Sequence, residues 1–302
     1  RSDPVGLATA IKDTIADNIG PWITCSIGFA ANRQLAKIAC KESKRSGRQY
    51  GNGLAIWRPE DLPAPLFAVQ MEDIPGVGGN MAKRLYRAGI FTTEQLYAVE
   101  PKHMRKLWGN VTGERLWYAL HGYDIQAPAS SRGMFGHGRV LPPESRSIDG
   151  AHEISRLLLI KAARRMRREA FYANGLWLWL SIRDDSWMGK RRLPVVNDDQ
   201  AILGALSELW SQVRRKFPRG VTIFRIGVTL YDLSPANERQ LDLLLNDDRL
   251  RQRWERASST IDSLNARYSN TVVSLGHWNP PKSGHVGGKI SYTRIPSAED
   301  FW

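Results

Sequence analysis

The sequence predicts an α+β fold of several domains, and three observations carry that reading. Residues 134–235 alternate strand and helix patterns in the order β-α-β-β-α-β. Residues 66–124 break into short helices punctuated by glycine and proline. The first 60 or so residues give helix, strand, helix and one more short strand, too few strands to close a sheet. At 302 residues the chain is too long for one small domain, and 42% hydrophobic residues suffice for full cores.

Residues 7–19 have helical periodicity, 22–29 read as a buried strand, 32–43 as a helix and 53–57 as a short strand. So few strands imply a missing part upstream, and the opening Arg1-Ser2-Asp3-Pro4 reads as the middle of a protein. The proline-rich residues 59–65 mark a boundary. Beyond it, Ile74-Pro75-Gly76-Val77-Gly78 reads as a tight turn that runs directly into a helix. Pro75 presets the turn, and Gly76 and Gly78 can take backbone angles closed to other residues. The new helix adds free N–H groups and its positive end, which together make a seat for a phosphate. Ala82 keeps the neighbouring helix close, while Lys83 and Arg84 add charge. The pattern resembles a helix-hairpin-helix, a DNA-backbone-binding element; the alternative is a packing corner that touches no ligand. A second glycine-centred turn falls at 108–113, before a helix over 114–121. Residues 125–133 are polar, small and aperiodic, and read as a linker.

In the next part, 134–141 reads as a strand and 148–171 as a long helix, apolar at Ile154, Leu157, Leu158 and Ala162. Strands at 176–182 and 190–196 follow, then a helix over 198–217 with Asp198 as its N-cap, then a strand at 221–230. Two helices over one face of four strands leave the other face uncovered. Alternation in the last strand sends Phe224, Ile226 and Val228 to the core and Arg225, Gly227 and Thr229 to the opposite face. A charged helix at 249–266 and an irregular tail ending in Phe301 and Trp302 complete the chain, without internal repeats.

Lys plus Arg number 43 against 30 Asp plus Glu, a net charge of +13 that points to a polyanionic partner. No apolar run reaches the length of a membrane span and no signal peptide is visible, so no membrane partner is expected. Cys25 and Cys40 are too few for a disulfide framework and read as buried thiols in a reducing compartment. The six His show no ligand spacing with them, so no metal site is expected.

Cys25-Ser26-Ile27-Gly28-Phe29, Asn32, Lys37-Ile38-Ala39, Ile74-Pro75-Gly76-Val77-Gly78, Phe135-Gly136-His137 and Arg225-Ile226-Gly227-Val228 occur in this order over nearly the whole chain. Together they resemble a Y-family (translesion) DNA polymerase of the bacterial DinB/UmuC type. The resemblance implies that residues 1–63 are the C-terminal part of a palm and 64–124 a small helical thumb with the hairpin. Residues 125–133 are then a linker, 134–235 a little finger and 236–302 a C-terminal extension. It implies that Gly76, Val77, Gly78 and Lys83 grip a primer–template duplex, that Arg225 holds template phosphates, and that His137 and Arg139 contact DNA. Lys44 corresponds to a lysine that reaches the incoming nucleotide's triphosphate. The family's Lys-Pro-Asn-Gly at that point is Lys44-Arg45-Ser46-Gly47 here.

The same resemblance implies Mg²⁺ for the full-length enzyme, whose nucleotidyl transfer uses two metal ions held by carboxylates. It puts those carboxylates before residue 1. The early region offers only Asp3, Asp13 and Asp17, the last two on one helix face, so no catalytic or metal-binding residue is expected. Alone, the chain is expected not to polymerise DNA. Gln240-Leu241-Asp242-Leu243-Leu244 resembles a sliding-clamp-binding peptide, with Gln240, Leu241, Leu243 and Leu244 as its anchors. The implied location is the cytoplasm, at the nucleoid.

Ser147-Ile148-Asp149 reads as a helix cap. Trp177 and Trp179 read as packing on a strand apolar on both faces, with base stacking as the alternative. Arg164, Arg165, Arg167 and Arg168 read as a solvated helix face that adds to the field. Other functions weighed are a natural pseudo-polymerase accessory, a helix-hairpin-helix DNA glycosylase and an RNA-binding protein. Gly89-Ile90-Phe91-Thr92-Thr93-Glu94 lacks the Val-Asp-x-His-Val-like motif of such glycosylases. The β-α-β-β-α-β region lacks the aromatic-rich strand motif of RNA-binding domains.

Overall fold

The computed structural model describes residues 3–46, 53–126, 132–183, 185–238 and 248–276. The chain divides into two units, Arg1–Ala129 and Ser130–Trp302. Among the described residues, no helix is long and apolar enough to cross a membrane.

In the first unit, α1 (Pro4–Asn18) is capped by Asp3, whose carboxylate accepts from the Val5 N–H at 3.0 Å. Then come β1 (Ile27–Phe29), α2 (Arg33–Ser46) and β2 (Leu54–Ile56). The two strands pair in parallel, Ile27 opposite Leu54, with α2 as the crossover that parallel strands require. The buried strand expected over 22–29 is therefore three half-buried residues, and Trp22 is 94% exposed. Among the described residues β1 has only β2 as a ladder partner, and β2 offers no ladder to residues before Ile27. Cys25 and Cys40 are half-buried free thiols and not core residues; the Cys40 thiol donates to the Ser26 carbonyl at 3.2 Å.

Short helices follow: α3 (Ala64–Phe67), α4 (Gly79–Arg87), α5 (Thr93–Ala98), α6 (Pro101–Trp108) and α7 (Val111–Leu120). Their ends are written locally. Thr92 and Gln95 form a reciprocal capping box on α5. Pro101 starts α6, and Gly109, left-handed at φ 75°, ends it. Asn110 caps α7 by accepting from the Thr112 N–H at 2.8 Å, so this helix begins earlier than the glycine-centred turn suggested. A β-carbon on Gly113 would collide with the Met104 carbonyl, which is how α6 and α7 come so close. The proline-rich residues 59–65 do not interrupt packing: Leu35, Ile38 and Trp57 share one core with Leu66, Ile74, Val77, Leu85 and Leu116.

The second unit contains β3 (Met134–Val140), α8 (Ile148–Arg168), β4 (Phe171–Ile182), β5 (Ser186–Val196), α9 (Asp199–Lys216), β6 (Ile223–Pro235) and α10 (Asp248–Arg267). The strands form one antiparallel sheet in the order β3-β6-β4-β5. Ser147 and Asp198 cap the two long helices, as their residue types suggested. The strands run longer than their apolar cores because regular pairing carries on; Ser181 still faces Ser186 and Phe171 still faces Pro235. Leu176, Leu178 and Leu180 join Ile226, Val228, Leu230 and Phe135 beneath α8 and α9. Trp210 is fully buried there, its indole N–H donating to the Ser155 hydroxyl at 2.9 Å.

Arg164 and Arg167 depart from the solvated face expected of the arginine run on α8, while Arg168 is exposed. Arg167 reaches Asp199 at 2.7 Å and Asp262 at 2.6 Å, and Arg164 reaches Asp262 at 3.4 Å. The cause is α10, which brings Asp262 down onto α8. Burial alone would lower the Arg167 pKa, and the two carboxylates reverse that, holding the guanidinium above the usual arginine range. On the same helix, burial followed by the nearby Arg214 and Arg156 charges pushes His152 down to about 4, so it is neutral at pH 7.

Candidate nucleic-acid interface

The glycine turn of the first unit is built as its sequence implies. A single 3-10 turn, Met71–Asp73, leads into it. The Val77 N–H closes on the Ile74 carbonyl at 2.9 Å, and Gly76 sits at φ 101°, a conformation that a β-carbon opposes. Val77 is buried and anchors the turn in the core. Gly78 is the extended N-cap of α4 and makes no side-chain cap bond. Met81 and Ala82 donate back to the Gly78 carbonyl at 2.8 and 2.9 Å. The N–H groups of Gly79 and Asn80 find no acceptor among the described residues. They point outward with the positive end of the helix behind them, the arrangement that suits an anion. Nothing lies within 4 Å of where a β-carbon would stand on Gly76, Gly78 or Gly79, so the turn is open to a ligand. Ala82 is buried and Lys83 is exposed; Arg84 is exposed too, its guanidinium donating to the Leu107 carbonyl at 3.0 Å.

Sequence reasoning singled out Lys44 alone on α2. The helix in fact presents a row: Arg33, Lys37, Lys41 and Lys44 follow at spacings of four, four and three, which puts all four on one face. All four are exposed. Their spacing was visible in the sequence. Two amides fix this row, Asn32 against the end of α7 and Gln34 against the glycine turn. Asn32 accepts from the Leu35 N–H at 2.9 Å and donates to the Ala119 and Tyr123 carbonyls at 2.7 and 2.9 Å. Gln34 donates to the Pro75 carbonyl at 2.5 Å. Lys41 is bridged to Asp73 at 2.8 Å. Between α2 and the turn lies an open groove of about 880 Å³, bordered by Arg33, Lys37, Lys41, Lys44, Gly76 and Gly78. Lys44 also borders a neighbouring hollow of about 960 Å³ with Lys12 and Ser26.

In the second unit, strand register decides which residues share the face opposite the helices. Leu176, Leu178 and Leu180 belong to the core, so Trp177, Trp179 and Ser181 face away from it. Pairing adds Thr229, Gly227 and Arg225 from β6, and Lys190, Met188 and Ser186 from β5. Arg225 is exposed there, on the face the sequence assigned to it. His137 and Arg139 are turned the other way. They pair with Val228 and Ile226, whose side chains lie in the core, and His137 is only 8% exposed. They do share a face with each other, but it is the helix-covered one; Met134, Gly136, Gly138 and Val140 are the β3 residues on the uncovered face. Trp177 and Trp179 likewise do not pack in the core under the helices.

Gln240, Leu241, Leu243 and Leu244 lie outside the described residues. Among the described residues no three His, Cys, Asp or Glu side chains gather to hold a metal ion. Asp13 and Asp17 stand exposed on α1 and Asp3 is its cap, so these carboxylates do not fit a two-metal centre.

Comparison with known proteins adds the following. The domain family described as "DNA polymerase-iota, thumb domain" matches residues 72–124, and the "impB/mucB/samB family C-terminal domain" matches residues 132–243. The putative UV-damage repair protein UvrX of Bacillus subtilis (strain 168) is 27% identical over 283 residues, covering 90% of this chain and 65% of that protein. DNA polymerase IV of Moorella thermoacetica is 28% identical over 282 residues, covering 90% of this chain and 66% of that protein. The chain thus spans just under two thirds of the length of these relatives. A solved Y-family DNA polymerase chimera, Dbh-Dpo4(243-245)-Dbh, shares the fold with a TM-score of 0.52 at 23% identity, over 76% of this chain and 63% of its own.

Proposed function

We propose, from the fact that this chain belongs to the Y family of translesion DNA polymerases, DinB/UmuC type, that it holds the primer–template duplex. The whole protein would carry out template-directed nucleotidyl transfer in DNA damage tolerance. The observation that supports this best is the groove of the first unit, where exposed cations of α2 face an open helix N-terminus across about 880 Å³. Phosphates need both kinds of group, point charges and free N–H donors. In this reading Gly76, Val77, Gly78 and Lys83 seat one stretch of backbone, Arg33 and Lys37 the next, and Arg225 contacts DNA from the sheet of the other unit. Lys44, at the rim of two hollows, takes the nucleotide's triphosphate. We divide the chain into a palm part at 1–63, thumb at 64–124, linker at 125–133, little finger at 134–235 and extension at 236–302. Y-family polymerases are generally metal-dependent, and we assign Mg²⁺ to the whole protein and not to the residues described here. Its place is the cytoplasm, at the nucleoid. Family membership sets aside the glycosylase and RNA-binding readings.

One titration tests the reading. Primer–template affinity should fall roughly 10³- to 10⁵-fold between 50 and 200 mM salt, if on the order of 6–10 phosphates are neutralised. A flat salt response would contradict it. With Mg²⁺ and four dNTPs in the same tubes, binding without extension is expected; extension by this chain alone would mean a metal site in its own residues.

We also assign sliding-clamp binding to Gln240, Leu241, Leu243 and Leu244. The amide suits a polar pocket and the leucines an apolar groove. Gln240→Ala with Leu243→Ala should abolish capture by the clamp in surface plasmon resonance, and unchanged affinity would remove the assignment.

A further inference from the structure

Helix α10 is fastened to its unit by polar groups. Arg251 bridges Asp198 at 3.1 Å, the Ser258 hydroxyl accepts from the Asp199 N–H at 3.0 Å, and Asp262 meets Arg167 at 2.6 Å. Among the described residues, no apolar side chain of α10 joins the core that α8 and α9 close over the sheet. Yet the helix has an apolar stripe. Leu250, Trp254, Ala257, Ile261, Leu264 and Tyr268 recur at alternating steps of four and three, the spacing of a helix–helix seam. The stripe runs roughly 27 Å, at about 1.5 Å per residue. Helical spacing puts it about a quarter turn from the attached residues Arg251, Ser258 and Asp262. Leu250 is 52% exposed, Leu264 36% and Tyr268 61%, and Trp254, Ala257 and Ile261 are half-buried. On the side away from the attachment the stripe is bordered by Arg249, Arg253, Arg256 and Arg267, all exposed and none paired with a carboxylate among the described residues.

We propose that this flank of α10 docks an acidic amphipathic helix of another protein, its apolar residues on Leu250, Leu264 and Tyr268 and its carboxylates on Arg253 and Arg267. The apolar stripe sets the shape of the partner, because seam spacing is matched by a second helix that repeats it. The arginines set its charge. A second copy of α10 does not meet that need. The residues flanking the seam are Arg251, Arg253, Ser258, Thr260, Asn265 and Arg267, so self-pairing in either direction brings arginines together and supplies no carboxylate. A phosphate backbone would answer the arginines and leave the leucines and the tyrosine in water.

The test uses the full chain and a fluorescein-labelled synthetic peptide of about three heptads, leucine at the seam positions and glutamate at the flanking ones, with binding read by anisotropy. Its glutamates also keep the peptide from pairing with itself. The wild type should bind this peptide roughly tenfold or more tighter than a shuffled peptide of the same composition, and tighter by as much than a counterpart with lysine for glutamate. Arg253→Glu with Arg267→Glu should lose the glutamate peptide roughly tenfold or more and gain the lysine one, a reversal that unfolding does not produce. Leu264→Ser with Tyr268→Ser should weaken the glutamate peptide without that reversal. All four positions are exposed, so the melting temperature should hold. Primer–template affinity of the arginine variant should stay within about threefold at roughly 0.15 M salt, where exposed charges beyond about 8 Å are screened. No binding by the wild type, equal binding of the ordered and shuffled peptides, or no reversal overturns the proposal. An arginine variant that loses primer–template and keeps the peptide overturns it in favour of DNA contact. Sedimentation of the wild type with phosphatidylserine vesicles, without peptide binding, overturns it in favour of a lipid surface.

Discussion

Arg167→Ala should destabilise the C-terminal unit by about 3–5 kcal/mol, the usual cost of removing one partner from a buried ion pair. The guanidinium donates to Asp199 at 2.7 Å, to Asp262 at 2.6 Å and to the Asn197 carbonyl at 2.7 Å. The Asp199 side chain is 2% exposed, so truncation strands a carboxylate away from water. Arg164 also reaches Asp262, at 3.4 Å, and so relieves only that partner. In a unit of this size the loss corresponds to a melting shift of roughly 10 °C. A shift below about 3 °C in a thermal melt would show that the network contributes little. Arg167→Met combined with Asp199→Asn should recover much of the loss, because the cost lies in the orphaned charge more than in the lost attraction.

Arg33→Glu with Lys37→Glu should weaken primer–template binding on the order of 100-fold at low salt and flatten its salt dependence by about two units of slope. Both side chains are exposed, and neither is ion-paired among the described residues, so the melting temperature should hold. Lys41→Ala should do less, because Asp73, at 2.8 Å, already claims that ammonium. Equal losses from the Arg33/Lys37 pair and from Lys41 would contradict the assignment of this groove to DNA.

The α+β architecture was legible because its signals are local: alternation in the strands, apolar spacing on the long helices, and Ser147 and Asp198 at their starts. The glycine turn was legible for the same reason, since Gly76 answers a backbone angle. The orientation of His137 and Arg139 was not. Their strand reads Met-Phe-Gly-His-Gly-Arg-Val, and two glycines leave too weak an apolar pattern to say which face is buried. Phe135 alone settles it, by pairing with Leu230. The burial of Arg167 was equally hidden, because its partner Asp262 lies 95 residues further along. Trp177 and Trp179 do pack, but against Tyr231 and Gly227 on the uncovered face; the alternation of leucine and tryptophan looks apolar throughout, and only the leucines meet a helix. The cation row on α2 needed no structure; it needed counting by fours.

Asn32 and Gln34 carry no charge and have no part in the proposed ligand contacts, yet they join α2 to Ala119, Tyr123 and Pro75. The groove is in that sense a calliper whose jaws are set by interior amides. Its gap is inherited from how Leu35 and Ile38 sit in the core. Drift in buried residues would then read out as altered grip, and homologues could diverge in the DNA they tolerate with every surface cation unchanged.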